Sequence, residues 1–302
     1  MTLILTAMSN PDQSTTTADG RKLNLWLSGA EDGRTLVFHR GTPDPPAPWP
    51  EFERAAVDFG LRVVSYARPG YSGSTRHRGR DVAAAAADTE SVLDALGVAE
   101  FIALGHSGGG PHALACAALL PGRCLAGVTV ASVAPHPAAG LDWLEGMAEE
   151  NVVEFGHAVE GEDSYRAFLE KEIENYADVS ADDVVAALGG LISDVDKAVL
   201  TGDMAERSAQ NLRRVARDGL DGWIDDGLAF IKPWGFELED ITTPTSIWQG
   251  RHDKMVPFSH GHWLVTRMPQ ARAHLLEEEG HLTLLTTRLG DILADAVDAA
   301  GV

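Results

Sequence analysis

Short β-rich runs alternate with helical stretches along most of this chain, and one long interruption breaks the alternation. The β runs are Thr35–His39, Arg62–Tyr66, Phe101–Gly105, Leu125–Ser132, Pro244–Gln249 and Ala271–Leu276. Between them lie segments of helical period at about Glu51–Phe59, Asp81–Leu96 (closed by Gly97), the residues after Ser107 and about Phe258–Met268, with a last helix over about Leu282–Ala300. Strands joined through helices argue for a mainly parallel sheet covered on both faces. Two more strands, Thr15–Ala18 and Lys22–Leu27, flank the hairpin turn pair Asp19-Gly20, which brings the expected number to eight. Residues 1–13 read as a loose tail. From about Pro135 to Trp234 there is only helical periodicity with acidic faces. A length of 302 residues is long for one minimal domain and short for two. The expected organisation is therefore one discontinuous α/β core, residues 14–134 and 236–302, carrying an inserted all-helical lid at residues 135–235.

Composition limits the partners. With 44% apolar residues a sizeable core can form, and a formal charge of −21 repels nucleic acid and anionic membranes. Neutral or cationic small molecules are the easier substrates to attract, and a homodimer is compatible with the sequence. Two cysteines, Cys116 and Cys124, make no disulfide framework, and Cys116 sits in an apolar run as a small hydrophobe. The first residues have no basic segment ahead of their apolar patch, and no stretch of about 18 apolar residues occurs. The expectation is a soluble, cytoplasmic protein.

The strongest local signal is Gly105-His106-Ser107-Gly108-Gly109, a G-x-S-x-G pattern directly after an apolar strand and directly before a helix. A residue on so sharp a turn takes strained dihedrals, and small neighbours let the backbone pass close by. The turn lifts the Ser107 hydroxyl above the sheet edge, beside N–H groups of a helix start. A phosphate loop fits poorly, because Pro111 stands where Lys-[Ser/Thr] would follow, and a dinucleotide fingerprint fails on spacing. A serine hydroxyl needs a base, and the base needs an orienting group. Asp253, in Gly250-Arg-His-Asp, follows one C-terminal strand, and His281, in Gly280-His281, follows the next. All three candidates stand at the C-terminal ends of strands, where sites on open α/β sheets gather.

Four stretches in order, His39-Arg-Gly-Thr-Pro, Arg68-Pro-Gly-Tyr-Ser-Gly-Ser, Gly105-His-Ser-Gly-Gly and Gly250-Arg-His-Asp…Gly280-His, make the chain resemble the α/β-hydrolase fold superfamily. The resemblance runs from Lys22 to Ala300 and is to the lid-bearing esterase, proline iminopeptidase and C–C hydrolase branch. It implies Ser107 as nucleophile, His281 as base and Asp253 as the acid that holds the imidazole. It implies no cofactor. For the oxyanion hole it implies the N–H of Gly108 and a second donor from the loop after Thr35–His39. Pro43 has no N–H, which leaves Gly41 and Thr42; aligning the loop on its glycine and proline selects Thr42, and then either Arg40 stands where relatives carry histidine or the loop has one extra residue.

Other residues read more plainly. His106 supports the turn, His112 is structural, and His252, His260 and His262 lack the acids a metal site would need. Trp143, Trp223 and Trp234 pack the lid or line an acyl pocket. Glu277–Glu279 reads as a solvated turn, and Arg68 and Tyr71 as structural loop residues. The expected function is hydrolysis of a small carboxylic ester or amide through an acyl-enzyme. The alternatives are an aminopeptidase using lid acids (Glu145, Glu149, Glu150, Glu154), a C–C bond hydrolase, and a slow-turnover binding or signalling module.

Overall fold

The computed structural model describes residues 13–301. Its strands are β1 (Gln13–Thr16), β2 (Lys22–Gly29), β3 (Arg34–His39), β4 (Leu61–Tyr66), β5 (Phe101–His106), β6 (Cys124–Val130), β7 (Thr245–Gly250) and β8 (Arg272–Leu276). They form one eight-stranded sheet in the order β1-β2-β4-β3-β5-β6-β7-β8. β1 pairs antiparallel with β2, and β2 antiparallel with β4; every later pairing is parallel. The hairpin expected at Asp19-Gly20 is present, with β1 two residues earlier than anticipated. The turn already begins at Thr17, whose N–H donates to the Arg21 carbonyl at 2.8 Å. The expected tail lies outside the described residues except for Gln13, which opens β1.

Parallel strands buried on both faces read as continuous apolar runs. β5 is such a strand, with all six residues buried. Alternate side chains split between two cores. Ile102 and Leu104 pack with Phe52 of α1 (Pro50–Asp58) and Ile292 of α12 (Leu289–Ala299). Phe101 and Ala103 pack with Val92 of α2 (Ala84–Ala95), Leu114 of α3 (Gly110–Leu119) and Leu264 of α10 (Phe258–Arg267). Each such large side chain contributes roughly 1.5–3 kcal/mol by leaving water. α2 starts at Ala84, whose N–H donates to the Asp81 side chain at 2.9 Å. The single C-terminal helix expected from Leu282 is two, α11 (Thr283–Thr287) and α12. They divide at Arg288, whose backbone leaves helical values (φ −112°, ψ 7°) where its guanidinium turns back to Glu279 at 2.6 Å. Glu279 is thereby buried, and only Glu277 and Glu278 of the expected solvated turn are exposed.

Between β6 and β7 the chain is helical: α4 (Glu149–Glu160), α5 (Glu162–Glu172), α6 (Val184–Leu188), α7 (Asp194–Val199), α8 (Gly202–Asp218) and α9 (Asp221–Phe230). No strand occurs there among the described residues. This insertion has its own apolar cluster, in which Tyr165, Leu169, Trp223 and Ile224 meet. No described helix is long and apolar enough to cross a membrane.

Candidate active site

Ser107 stands between β5 and α3 with φ +53°, in the left-handed region that non-glycine residues rarely enter. Such a residue costs of order 1–3 kcal/mol and persists because its surroundings hold it. Here the holding is steric. A Cβ at Gly105 would overlap the Gly109 carbonyl, and a Cβ at Gly109 would overlap the carbonyl of His39 at the end of β3. The elbow can therefore lie against the neighbouring strand end only with glycine at both positions.

β3 and β5 are adjacent, with His39 opposite Gly105, so the loop after β3 meets the elbow. A Cβ on Gly41 would lie 3.4 Å from the Ser107 Cβ, and one on Gly108 would run into the Thr42 side chain. Thr42 and Gly108 thus face each other beside Ser107.

β7 and β8 bring the other two candidates together. Asp253 is buried and fully engaged: its Oδ1 accepts the N–H groups of Met255 at 2.9 Å and Val256 at 2.8 Å. Its Oδ2 accepts from Gln249 Nε2 at 3.1 Å and from His281 Nδ1 at 2.8 Å. With Nδ1–H donating, Nε2 of neutral His281 is left to accept a proton. Burial pushes the His281 pKa down, but the charges of Asp253, Asp196 and Asp44 outweigh it and the net shift is upward. His106 packs beside it with ring centroids 4.9 Å apart, its Nε2 3.4 Å from the His281 carbonyl. Burial and the neighbouring His281 hold the His106 pKa well below the ordinary value, so it stays neutral.

Ser107, Thr42, Gly108 and His281 all line one cavity of about 220 Å³, just below the usual ligand-pocket range of roughly 300–1,000 Å³. Its roof comes from the insertion, including Phe155, Tyr165, Leu212 and Trp223. Of the three tryptophans singled out by sequence, only Trp223 reaches it. Trp143 and Trp234 pack in the core, with indole N–H groups on the carbonyls of Ala134 and Phe230. Of the four acids, only Glu154 reaches it. Its Oε1 accepts from Trp223 Nε1 at 2.8 Å and Tyr165 Oη at 2.5 Å, and burial pushes its pKa up. His252 and His262 are at the surface, while His260 is buried between the Ala134 N–H and the Trp143 carbonyl. Among the described residues no group of three or more His, Cys, Asp or Glu is arranged to hold a metal ion.

Two buried carboxylates of the insertion outside the sequence candidates bear on the site. Asp226 of α9 accepts from Arg68 Nη2 at 2.6 Å, Tyr71 Oη at 2.9 Å and Thr42 Oγ1 at 2.6 Å, and pairs with Arg80. Burial alone would raise its carboxyl, but Arg68 and Arg80 hold it well below the usual range. Arg68 also donates to the Arg40 and Gly41 carbonyls, so it and Asp226 together stake the loop that carries Thr42. Asp196 of α7 is buried against the loop that carries His281. The one sequence hint was for Asp226: Asp225-Asp226 interrupts an otherwise apolar helical stretch, where unpaired charge would not be buried. Asp196 carries no such mark.

Residues 34–159 match the family model described as alpha/beta hydrolase fold. A non-heme chloroperoxidase of Streptomyces lividans is 34% identical over 122 residues, covering 40% of this chain and 44% of that protein. A 2-hydroxy-6-oxononadienedioate/2-hydroxy-6-oxononatrienedioate hydrolase of Dechloromonas aromatica is 28% identical, covering 84% of this chain and 81% of its own. Among solved structures, a thermophilic esterase from Thermogutta terrifontis superposes with a TM-score of 0.69 at 17% identity, covering 95% of this chain and 98% of the esterase. At that identity the likeness is one of fold.

Proposed function

We propose that this chain, a member of the α/β-hydrolase superfamily, is a serine hydrolase that cleaves a carboxylic ester of a small molecule through an acyl-enzyme. The observation that carries the reading is the Asp253–His281 hydrogen bond at 2.8 Å, with the imidazole and the Ser107 elbow lining one small cavity. Ser107 Oγ attacks the carbonyl carbon while His281 Nε2 takes its proton. The N–H groups of Gly108 and Thr42 stabilise the developing oxyanion, each donor lowering the barrier by about 3–4 kcal/mol. His281 returns the proton to the leaving alcohol, then activates water to hydrolyse the acyl-enzyme. Residues 135–235 act as a lid that excludes bulk water and shapes the acyl pocket.

The charges around the cavity narrow the substrate. Among the described residues lining it there is no lysine or arginine, whereas Asp44 and Glu154 both face it. An uncharged or cationic substrate suits this lining. Oε1 of Glu154 already takes two donors, so an amino or hydroxyl group on the acyl side has Oε2 to approach. An amide of a small amine is within the same chemistry. C–C bond hydrolysis is a second reading, favoured by the alignment with the Dechloromonas hydrolase over 84% of the chain. That protein's named substrate is a dicarboxylate, and nothing cationic in this cavity would meet two carboxylates, so here the substrate would be an uncharged diketone.

The test is turnover of chromogenic esters with neutral, cationic and anionic acyl groups, beside neutral diketones, by the natural protein and Ser107→Ala. Hydrolysis of neutral and cationic esters that vanishes in the variant supports the reading. Preference for anionic substrates, or activity that survives without Ser107, contradicts it.

A further inference from the structure

The loop bearing His281 is held from the insertion as well as from the core. Asp196 is completely buried, and its two oxygens accept three consecutive backbone N–H groups: His281 at 3.1 Å, Leu282 at 2.7 Å and Thr283 at 3.1 Å. Its own helix start accounts for one further bond, from Ser193 Oγ at 2.7 Å. The sequence Ser193-Asp194-Val195-Asp196 reads on its face as a helix cap closed locally. The local cap leaves lone pairs to spare, and these take the N–H groups of residues 281–283. Gly280 supplies an independent mark of this contact, because a Cβ there would overlap both Asp196 oxygens. The glycine ahead of His281 is thus required by a carboxylate 84 residues away in the chain, across the boundary between insertion and core.

We propose that Asp196 is a positioning residue for the catalytic base: from the insertion it fixes the backbone of residues 281–283, and so the direction in which the His281 imidazole points. This rests on the reading of His281 as the base. Asp253 grips the ring through Nδ1, but one hydrogen bond leaves the ring free to swing with its backbone. Three N–H bonds to a second carboxylate remove that freedom. Asp196 also adds negative charge near the ring, together with Asp253 from the loop after β7 and Asp44 from the loop after β3. On the remaining side stands the neutral ring of His106. The roof and the base are therefore one mechanical unit, and displacement of α7 loosens the base.

Asp196→Asn keeps the size but turns one acceptor oxygen into a donor aimed at N–H groups. With the best ester substrate of the natural protein, the expected result is a fall in kcat of roughly ten- to a hundredfold with KM changed less than about threefold, as for a misplaced catalytic group. The His281 titration, followed by NMR of the ring in the absence of substrate, should move down by about one pH unit. Gly280→Ala, which keeps the carboxylate and crowds it, should lower kcat in the same way and serves if the first variant does not fold. A lower melting temperature with unchanged kcat and unchanged His281 titration in both variants would overturn the proposal and leave Asp196 a structural cap. Failure of the hydrolase reading is separately visible, as absence of turnover and of Ser107 labelling by a fluorophosphonate in the natural protein. The ring titration still decides the role of Asp196 in that case.

Discussion

The α/β core and the helical insertion use their buried ionisable groups in different ways. The core holds the buried carboxylates Asp253 and Glu279 against partners of its own and hides neutral histidines: burial first, with His112 and Arg68 nearby acting the same way, holds His39 well below its ordinary pKa, and burial outweighs the pull of Asp226 to lower His112 to about 4. The insertion hides carboxylates, and two of them leave their own helices to grip a core loop each. Asp226 takes the Thr42 hydroxyl and Arg68 beside the loop after β3; Asp196 takes the N–H groups of the His281 loop. The core sets where the reacting groups stand, through strand ends and a strained elbow. The insertion sets how firmly two of those loops are held. A helical roof packed only by apolar contacts would not couple to the site in this way.

The largest effect expected separates the regions by function. Ser107→Ala should lower kcat/KM by about 10⁴-fold or more with the denaturation midpoint nearly unchanged, measured on the best ester. Asp253→Asn should cost on the order of 10⁴-fold in kcat, because the amide favours the wrong imidazole tautomer. On the proposed mechanism His281 acts as a neutral base; burial lowers its pKa, but Asp253 more than offsets this and the net shift is upward. Activity should therefore be lost as pH falls through a value raised above that of an ordinary histidine, and a kcat/KM profile should show that acidic limb. Losing the Asp253 charge moves the limb to lower pH. If a core variant unfolded the protein as readily as it silenced it, the division would break.

On the other side, Asp226→Asn leaves Arg68 and Arg80 buried beside an uncharged amide. It should destabilise by about 3–5 kcal/mol in urea denaturation, with activity falling as Thr42 loses its anchor. A loss below about 1 kcal/mol would mean that the insertion is not tied to the core through this cluster. The smallest effect expected is at Glu154, which touches the cavity and neither loop. Glu154→Gln should leave kcat for neutral esters unchanged and raise KM for amino-acyl esters by about three- to tenfold, measured as a KM series.

The core was legible because its rules are local or periodic. Alternating runs fixed the strands, and G-x-S-x-G in its strand-to-helix setting placed Ser107. Asp253 and His281 are located by the strands they follow, and in the structure a hydrogen bond joins them. Boundaries moved where a side chain bonds outside the helical ladder, as Asp81 does to the Ala84 N–H at α2 and Arg288 to Glu279 between α11 and α12. The insertion's contribution was not legible, because Asp196 and Asp226 act through contacts 85 and 158 residues distant, to the N–H of His281 and to Arg68. Nothing in the helical period of a segment tells which of its acids is turned inward. Glu279, taken for a surface residue among three acids, shows the same limit: its partners, Thr287 and Arg288, come from the following helix and from the break behind it.

The central claim is that Ser107 forms a covalent bond to the acyl group under attack by way of His281. Rapid mixing with a chromogenic ester, followed by acid quench and mass measurement of the intact protein and its peptides, tests it directly. The account predicts a burst of close to one equivalent of alcohol, with the acyl mass on the peptide containing Ser107, and neither in His281→Gln. Steady turnover with no mass added at Ser107, or acyl mass on another residue, would contradict it.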